Sequence, residues 1–332
     1  MYEYEKYVCS PSTLRATLDT FGVAIIPSIL SDEECEQMID GVWEFLHHIT
    51  QHWPIPIHRD NQETYKEIHK LHLLRGAMFQ QYSNGHSQYM WNLRQNRKIV
   101  NIFSEFWGVP EEELLASFDG SNFSIPNNEL QTGGKRAAGK TRTAGLKDVE
   151  PWYHLDQSLT RPDFECAQSW VTAYDTGEGD ATLGFLEGSH AWFSQFAEET
   201  TAISVVDWKL LSKAELDFYR SKGCSEKRIA CPRGSLVVWD SRTVHYGAPS
   251  LKRPAEQTFR LVGYLCYRPR YFITQEMLAE KRMAFDQHDT TSHHPTNFRI
   301  FRKLPPKVTL DHCVTPIDPP VVSELGKRLA GF

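Results

Sequence analysis

The sequence predicts a mainly β fold, a sandwich or barrel with flanking helices, and three observations carry this prediction. From about Leu115, short runs rich in β-branched and aromatic residues alternate with turn residues, and no helical period persists between them. The chain before these runs carries helical patterns with capping residues, and so does the chain after them. We therefore expect one domain over residues 1–332, with a helical N-terminal buttress (about 1–114), a β core (about 115–270) and a C-terminal helical extension (about 271–332).

Local signals place the elements outside the β core. Residues 22–30 (GVAIIPSIL) have the pattern of a short buried strand. Ser31 then begins a helix with three acidic residues in its first turn, where negative charge suits the helix dipole. A second helix is expected over residues 94–107 and a third, short one from Pro110. Two C-terminal helices are expected around residues 275–287 and 321–329.

Composition excludes several classes of protein. The chain has 332 residues, of which 40% are hydrophobic and 23% charged, as in globular proteins, and its net charge of −6 gives no overall attraction for nucleic acid. Its seven cysteines are scattered without a Cys-x-x-Cys pair, which argues against a disulfide framework and a cysteine-ligated zinc site. The first residues lack the pattern of a signal peptide, and no window approaches the roughly 20 apolar residues of a membrane span. We expect a cytoplasmic protein, monomeric and not in a membrane.

Two stretches have the composition of long loops. Residues 132–147 (TGGKRAAGKTRTAGLK) are rich in glycine, and every charge in them is basic. Long loops without regular structure often cover binding sites, so this loop is a candidate lid. The second stretch, residues 289–306, contains TTSHHP with the adjacent His293 and His294, for which no third metal ligand is evident.

The pattern that indicates chemistry is His154-Leu155-Asp156. On a strand, residues two apart point to the same face, so this imidazole and carboxylate can reach one metal ion together. His-x-Asp alone is a weak signal, but His245 follows 91 residues later, directly after the apolar run GSLVVWD. Two histidines and one carboxylate form the facial triad of non-haem Fe(II) oxygenases, which leaves the opposite positions open for a co-substrate and O2.

A lone arginine strengthens this interpretation. Arg260 lies fifteen residues beyond His245, inside the apolar run TFRLVGYLCY. A guanidinium in such a strand needs an anionic partner, and its planar fork suits a carboxylate. The alternative is an internal salt bridge.

These motifs resemble those of the phytanoyl-CoA dioxygenase-like family of Fe(II)/2-oxoglutarate-dependent oxygenases, and the resemblance covers nearly the whole chain. Residues 21–40 (FGVAIIPSILSDEECEQMID) are similar to the family's opening strand and helix, and WYHLDQS carries the proximal ligands. Residues 170–190 resemble the segment that ends in a Gly-Ser/Thr-His turn, and GSLVVWDSRTVHYGAPS carries the distal histidine. The combination is far more specific than any single motif.

The resemblance implies a double-stranded β-helix, or jelly roll, with Fe(II) at one open end and with 2-oxoglutarate and O2 as co-substrates. His154, Asp156 and His245 would ligate the iron, Arg260 would hold the far carboxylate of 2-oxoglutarate, and Trp170 would line its pocket. Alternatively, Trp170 is an ordinary residue of the hydrophobic core with no contact to 2-oxoglutarate. Related halogenases lack the carboxylate ligand, so Asp156 favours hydroxylation or another oxidation, such as desaturation or ring closure, over halogenation.

The substrate is less well defined. The basic loop suggests an anionic metabolite bearing carboxylate groups, with Arg136 and Arg142 as substrate residues and Tyr153 in an apolar part of the pocket; a solvated loop is the alternative. An acyl-CoA, a nucleic acid or a protein is an alternative substrate. The active-site residues do not distinguish these alternatives, because they would be the same for each. Two other classes of protein stay open. One is a cupin-like metalloenzyme that does not use 2-oxoglutarate, but Arg260 argues against it. The other is a non-catalytic binding module, but the complete triad argues against it.

Overall fold

The computed structural model describes residues 1–75, 77–126, 151–200, 206–305 and 313–332, and within these ranges two antiparallel-rich sheets are flanked by helices. The strands are β1 (Tyr2–Glu3), β2 (Val23–Ile26), β3 (Met78–Phe79), β4 (Leu114–Ala116), β5 (Ser121–Ser124), β6 (His154–Leu155), β7 (Ala167–Thr172), β8 (Thr182–Leu186), β9 (Lys209–Leu210), β10 (Glu226–Ile229), β11 (Leu236–Asp240), β12 (His245–Ala248) and β13 (Arg260–Pro269). The helices are α1 (Leu14–Phe21), α2 (Asp32–Thr50), α3 (Gln88–Arg94), α4 (Arg97–Trp107), α5 (Phe193–Glu199), α6 (Lys213–Ser221), α7 (Gln275–Asp286) and α8 (Glu324–Ala330).

The larger sheet has the strand order β2-β11-β7-β13-β5-β3, with β4 also pairing with β13. The smaller sheet has the order β1-β10-β8-β12-β6-β9. Neighbouring strands are antiparallel except for β1 and β10. Strands distant in sequence therefore alternate between two facing sheets, which is the jelly-roll arrangement that the sequence predicts.

The apolar residues of the two sheets form separate clusters on the inner and outer faces. Between the sheets, Trp170, Trp239 and Val262 of the larger sheet pack with Phe185 of the smaller sheet. The alternate residues of the larger sheet, such as Val171, pack against α2 and α4 instead. The smaller sheet is covered on its outer face by α5 and α6. The residues of a strand alternate between its two faces, so the residues that pack against the helices all lie on the outer face. The inner face, between the sheets, can therefore carry the polar residues of a site.

Local capping chemistry explains the helix boundaries. The Ser31 side chain accepts a hydrogen bond from the Glu34 amide (3.2 Å), and the Glu34 carboxylate accepts one from the Ser31 amide (2.7 Å), so α2 begins with a complete capping box. The helix predicted from residue 94 begins later, because the Asn96 side chain caps α4. Gly108, with a φ of +64°, ends α4. The helix predicted from Pro110 is a single 3-10 turn, Glu111–Glu113.

The N-terminal region is more than a buttress, since β1 joins the smaller sheet while β2 and β3 join the larger one. In the C-terminal region the two expected helices are present as α7 and α8. The basic loop at residues 132–147 lies outside the described residues. None of the helices that the structure describes combines the length and apolar character needed to cross a membrane.

Candidate active site

His154, Asp156 and His245 meet in the smaller sheet, where β6 pairs with β12. His154 begins β6, His245 begins β12, and the two residues are direct partners in the antiparallel pairing of these strands. One ligand atom from each of the three side chains lies within 4.8 Å of the other two. His154 Nε2 is 3.6 Å from Asp156 Oδ1, and His245 Nε2 is 3.3 Å from Asp156 Oδ2. The three residues are 5%, 9% and 4% exposed, so the group is buried.

Hydrogen bonds fix how each side chain presents its ligand atom. His154 donates from Nδ1 to the carbonyl of Trp152 (3.2 Å), and His245 donates from Nδ1 to the carbonyl of Thr243 (2.8 Å). Each ring therefore turns its Nε2 towards Asp156. Asp156 Oδ2 in turn accepts a hydrogen bond from Gln168 Nε2 (3.1 Å). Metal-binding histidines usually donate their second ring nitrogen in this way, so the donor set fits a divalent metal ion such as Fe(II).

The electrostatics of the group favour an ionised Asp156 and a neutral His154. Burial acts to raise the pKa of Asp156, but the charges of His154 and His293 and hydrogen bonds from the two triad histidines hold it well below its usual range. Burial and the nearby His245 lower the pKa of His154. An ionised carboxylate and a neutral imidazole are the forms that bind a metal ion.

Arg260 and Trp170 lie together on the inner face of the larger sheet. Arg260 begins β13, its Nη1 donates to Asn122 Oδ1 (2.6 Å), and its guanidinium carbon is 5.9 Å from the centroid of the Trp170 ring. Trp170 is buried and pairs across the strands with Tyr264. In the part of the chain that the structure describes, no carboxylate pairs with Arg260. The internal salt bridge considered from sequence is therefore not observed there.

A small cavity lies beside this group. Gln168 and His293 from its lining also contact Asp156, and the Trp239 ring is 5.5 Å from the His245 ring. Its lining residues are Ser117, Asp119, Gln168, Ser169, Trp239, Tyr264, Leu265, Cys266 and His293. The cavity thus extends from the triad towards Tyr264, which influences the pKa of Arg260.

Two residues that the sequence did not place near the triad complete the surroundings of Asp156. Gln168 is on β7, two residues from Trp170, so its position on the inner face follows from strand alternation. His293 comes from the segment after α7, and its Nε2 donates to the backbone carbonyl of Asp156 (3.1 Å). The TTSHHP motif was visible in the sequence, but only the folded chain brings it to the triad.

The structure does not bring all predicted substrate residues to the site. Tyr153 precedes His154 on the strand and therefore points to the opposite face, where its ring packs against Tyr246 at 4.5 Å in the outer apolar cluster. We do not retain it as a substrate residue. Arg136 and Arg142 lie outside the described residues.

Three known proteins are similar to the chain over most of its length. The "Ava biosynthesis cluster protein O" of Aspergillus versicolor is 23% identical over 284 residues, which cover 82% of this chain and 83% of the relative. The crystal structure of the hypothetical protein JW0805 of Escherichia coli has a TM-score of 0.57 at 11% identity and covers 98% of this chain and 85% of that chain. GlcNAc Inducible Gene 2 of Candida albicans has a TM-score of 0.51 at 13% identity, with coverage of 83% and 67%. The two solved structures show that the fold is shared.

The family comparison covers the core of the chain. The model of the family described as phytanoyl-CoA dioxygenase matches residues 18–253, a range that contains His154, Asp156 and His245. The buried group of two histidines and one aspartate lies within this range. The chain therefore belongs to the phytanoyl-CoA dioxygenase family, and it is an Fe(II)/2-oxoglutarate-dependent dioxygenase with O2 as the second co-substrate.

Proposed function

We propose that the chain oxidises an unactivated C–H bond of a small, carboxylate-bearing metabolite, by hydroxylation, desaturation or oxidative ring closure, with release of succinate and CO2. In this proposal His154 and His245 bind Fe(II) through Nε2 and Asp156 binds it through a carboxylate oxygen. The observation that carries it is the buried triad in which both Nδ1 atoms are already committed to backbone carbonyls. A small-molecule biosynthetic role is supported by the name of the Aspergillus versicolor relative.

The chain's own residues would prepare the reaction. When bound, iron supplies the oxidising power for C–H cleavage together with 2-oxoglutarate and O2. Arg260 would anchor the far carboxylate of 2-oxoglutarate, and Trp170 would lie against the co-substrate next to it. Gln168 holds Asp156 Oδ2 in place. Burial of the triad limits the access of water, which protects a reactive centre from side reactions.

An exposed cation near the triad supports a carboxylate on the substrate. The Trp152 ring stacks on the His154 ring at 4.6 Å with an interplanar angle of 4°, and the Arg75 guanidinium lies 4.3 Å from the Trp152 ring. Within the described ranges, no acidic side chain pairs with Arg75. A substrate carboxylate near this rim would therefore find a cation without a competing partner. Arg136 and Arg142 remain proposed as further contributors.

The decisive experiment is a screen for substrate-stimulated succinate formation by the Fe(II)-loaded enzyme. The panel contains carboxylic and amino acids, acyl-CoAs and short oligonucleotides, so the alternative substrate classes appear as other outcomes. We expect stimulation by a carboxylate-bearing metabolite, and Arg75→Ala should raise its KM about tenfold, whereas Arg253→Ala at an exposed arginine paired with Glu256 should not. Turnover without consumption of 2-oxoglutarate would instead identify a cupin-like metalloenzyme. A cytoplasmic location and a monomeric state remain predictions.

A further inference from the structure

The segment that ends in the edge strand β9 turns its side chains in an inverted order. The alternate residues Val206, Trp208 and Leu210 are large and apolar, yet all three are exposed, Trp208 by 37% and Leu210 by 49%. Between them, the charged side chains of Asp207 and Lys209 are only 9% and 10% exposed. Edge strands ordinarily turn charged residues to solvent and apolar residues to the core. The needs of the fold alone therefore do not explain this order.

The pairing of β9 with β6 places the apolar side of this segment beside the triad. Leu210 is the direct partner of His154, and Lys209 is the direct partner of Leu155. Direct partners point to the same face of a sheet, so Leu210 shares the face of His154. Trp208 lies there too, since its ring centroid is 6.3 Å from that of the His154 ring. The charged side points the other way, where Lys209 Nζ pairs with a carboxylate of α6 (2.7 Å).

Hydrogen bonds hold the segment in this orientation. Just before Trp208, the Asp207 carboxylate accepts from the Ser158 amide (3.0 Å) and from Asn297 Nδ2 (2.8 Å). Just after β9, the Leu211 amide donates to the backbone carbonyl that precedes β6 (2.9 Å). The backbone that carries Trp208 is therefore fixed on both sides, as a pre-organised substrate contact requires.

A second tryptophan extends the apolar surface around the same ligand ring. Trp152 is stacked on the His154 ring at 4.6 Å, with an interplanar angle of 4°. Gly247 of β12 leaves room for this indole, because a Cβ at that position would lie only 3.3 Å from Trp152 Cζ2. The apolar surface of Trp152, Trp208 and Leu210 therefore begins at a ligand of the iron, where the reacting part of the prime substrate must lie.

We propose that Trp208 and Leu210 form a platform against which an aromatic ring of the prime substrate packs. The inference rests on the proposed function and adds to it: the substrate carries an aromatic ring as well as a carboxylate. An indole attracts the edge or the offset face of another aromatic ring, which adds to the free energy of apolar burial. A saturated ring or an acyl chain would gain from burial alone. Trp208 is therefore the residue that selects the ring, and Leu210 adds apolar contact beside it.

The test compares aromatic carboxylic acids with their ring-saturated analogues: phenylacetic with cyclohexylacetic acid, and naphthylacetic with decahydronaphthylacetic acid. Binding is measured anaerobically on the Fe(II)- and 2-oxoglutarate-loaded enzyme through the change in its visible absorption. We expect the aromatic member of each pair to bind about two- to tenfold more tightly, although the saturated member is the more apolar of the two. Equal affinity within the pairs, tighter binding of the saturated members, or no binding of the aromatic acids would overturn the proposal.

Variants assign the preference to the platform. Trp208→Phe keeps an aromatic ring, whereas Trp208→Leu keeps only apolar area. We expect Trp208→Phe to retain part of the preference for aromatic acids and Trp208→Leu to remove it. Leu210→Ala should weaken both members of a pair alike, because it removes apolar contact alone. A preference that survives Trp208→Leu unchanged would refute the assignment.

Two controls separate this proposal from other causes. Trp192→Leu should leave the preference intact, because Trp192 packs against the outer apolar cluster of the smaller sheet. Loss of the preference in Trp192→Leu would show that it does not arise at Trp208. The proposed function is judged separately, because its failure would abolish the absorption of the Fe(II)–2-oxoglutarate complex in the unmodified enzyme before any acid is added.

Discussion

Arg260→Ala is expected to separate co-substrate binding from stability. Arg260 is held by Asn122 and interacts with Tyr264, and it has no carboxylate partner in the described ranges, so the 2-oxoglutarate carboxylate would be its counter-ion. Truncating one partner of a desolvated charge pair costs about 2–5 kcal/mol. At about 1.4 kcal/mol per tenfold change, the Kd for 2-oxoglutarate should rise between about 30-fold and several thousandfold. Arg260→Lys keeps the charge but loses the fork, so its loss should be smaller.

Without co-substrate, the free energy of unfolding of Arg260→Ala should be close to that of the unmodified protein. The lost bond to Asn122 is worth about 1 kcal/mol, and it is offset because a half-buried guanidinium without a counter-ion is itself unfavourable. We expect the free energy of unfolding without co-substrate to change by less than about 1 kcal/mol. In the unmodified protein, 2-oxoglutarate at 100 times its Kd should add about 2.7 kcal/mol, and Arg260→Ala should lose this increment.

The assay is an anaerobic titration of 2-oxoglutarate into the Fe(II)-loaded protein, with urea unfolding in parallel. Arg220→Ala is the control, because Arg220 is an exposed arginine of α6 paired with Asp217. Unchanged 2-oxoglutarate affinity in Arg260→Ala would reject the assignment. A large loss of stability without co-substrate would show that Arg260 is a structural residue.

Three further predictions concern the metal, acid stability and the thiols. Asp156→Ala should abolish stoichiometric Fe(II) binding measured by metal analysis while the protein stays folded by circular dichroism; retained iron would disprove the ligand assignment. Burial and the charge of Arg268 hold the pKa of His294 well below its ordinary value, so below about pH 6.5 the unfolded chain binds a proton that the folded chain does not, and stability falls with falling pH. His294→Asn should reduce this slope by up to about 1.4 kcal/mol per pH unit in urea unfolding; identical slopes would contradict a neutral His294. Among the seven cysteines only Cys313 is exposed, and burial raises the pKa of half-buried Cys9 to about 11, so a thiol reagent should modify one site quickly in the native protein; rapid modification of several would contradict the packing.

Features that depend on nearby residues could be predicted from the sequence. The helix that begins after Ser31 follows from a capping box within four residues, and the pairing of His154 with Asp156 follows from the two-residue period of a strand. The distal histidine could be placed because it directly follows an apolar strand. The fold class then followed from the combination of these motifs with the family resemblance.

Features that depend on distant contacts could not be predicted. Lys281 lies in a helix, where a lysine is expected to be exposed to solvent. It is nevertheless buried and donates a hydrogen bond to the Ala116 carbonyl (2.6 Å). Asp119 sits in a turn-like stretch, where an aspartate is ordinarily solvated. His293 carried only a weak metal-site hypothesis, and its position beside Asp156 depends on how the C-terminal extension crosses the barrel. Tyr153 was expected in the substrate pocket because of its aromatic side chain. Strand alternation instead places it in the outer apolar cluster.

The pairing of β2 with β11 has a consequence for how the enzyme is made. Val23 pairs with Trp239, and in the other sheet Tyr2 pairs with Arg228, so each sheet joins the start of the chain to residues more than 200 positions later. Such non-local pairing slows folding, because loop closure precedes the stabilising contacts. During translation the apolar residues of β2 have no strand partner until the β11 segment has left the ribosome. Newly made chains should therefore depend on chaperones, and recombinant yields should respond strongly to expression temperature.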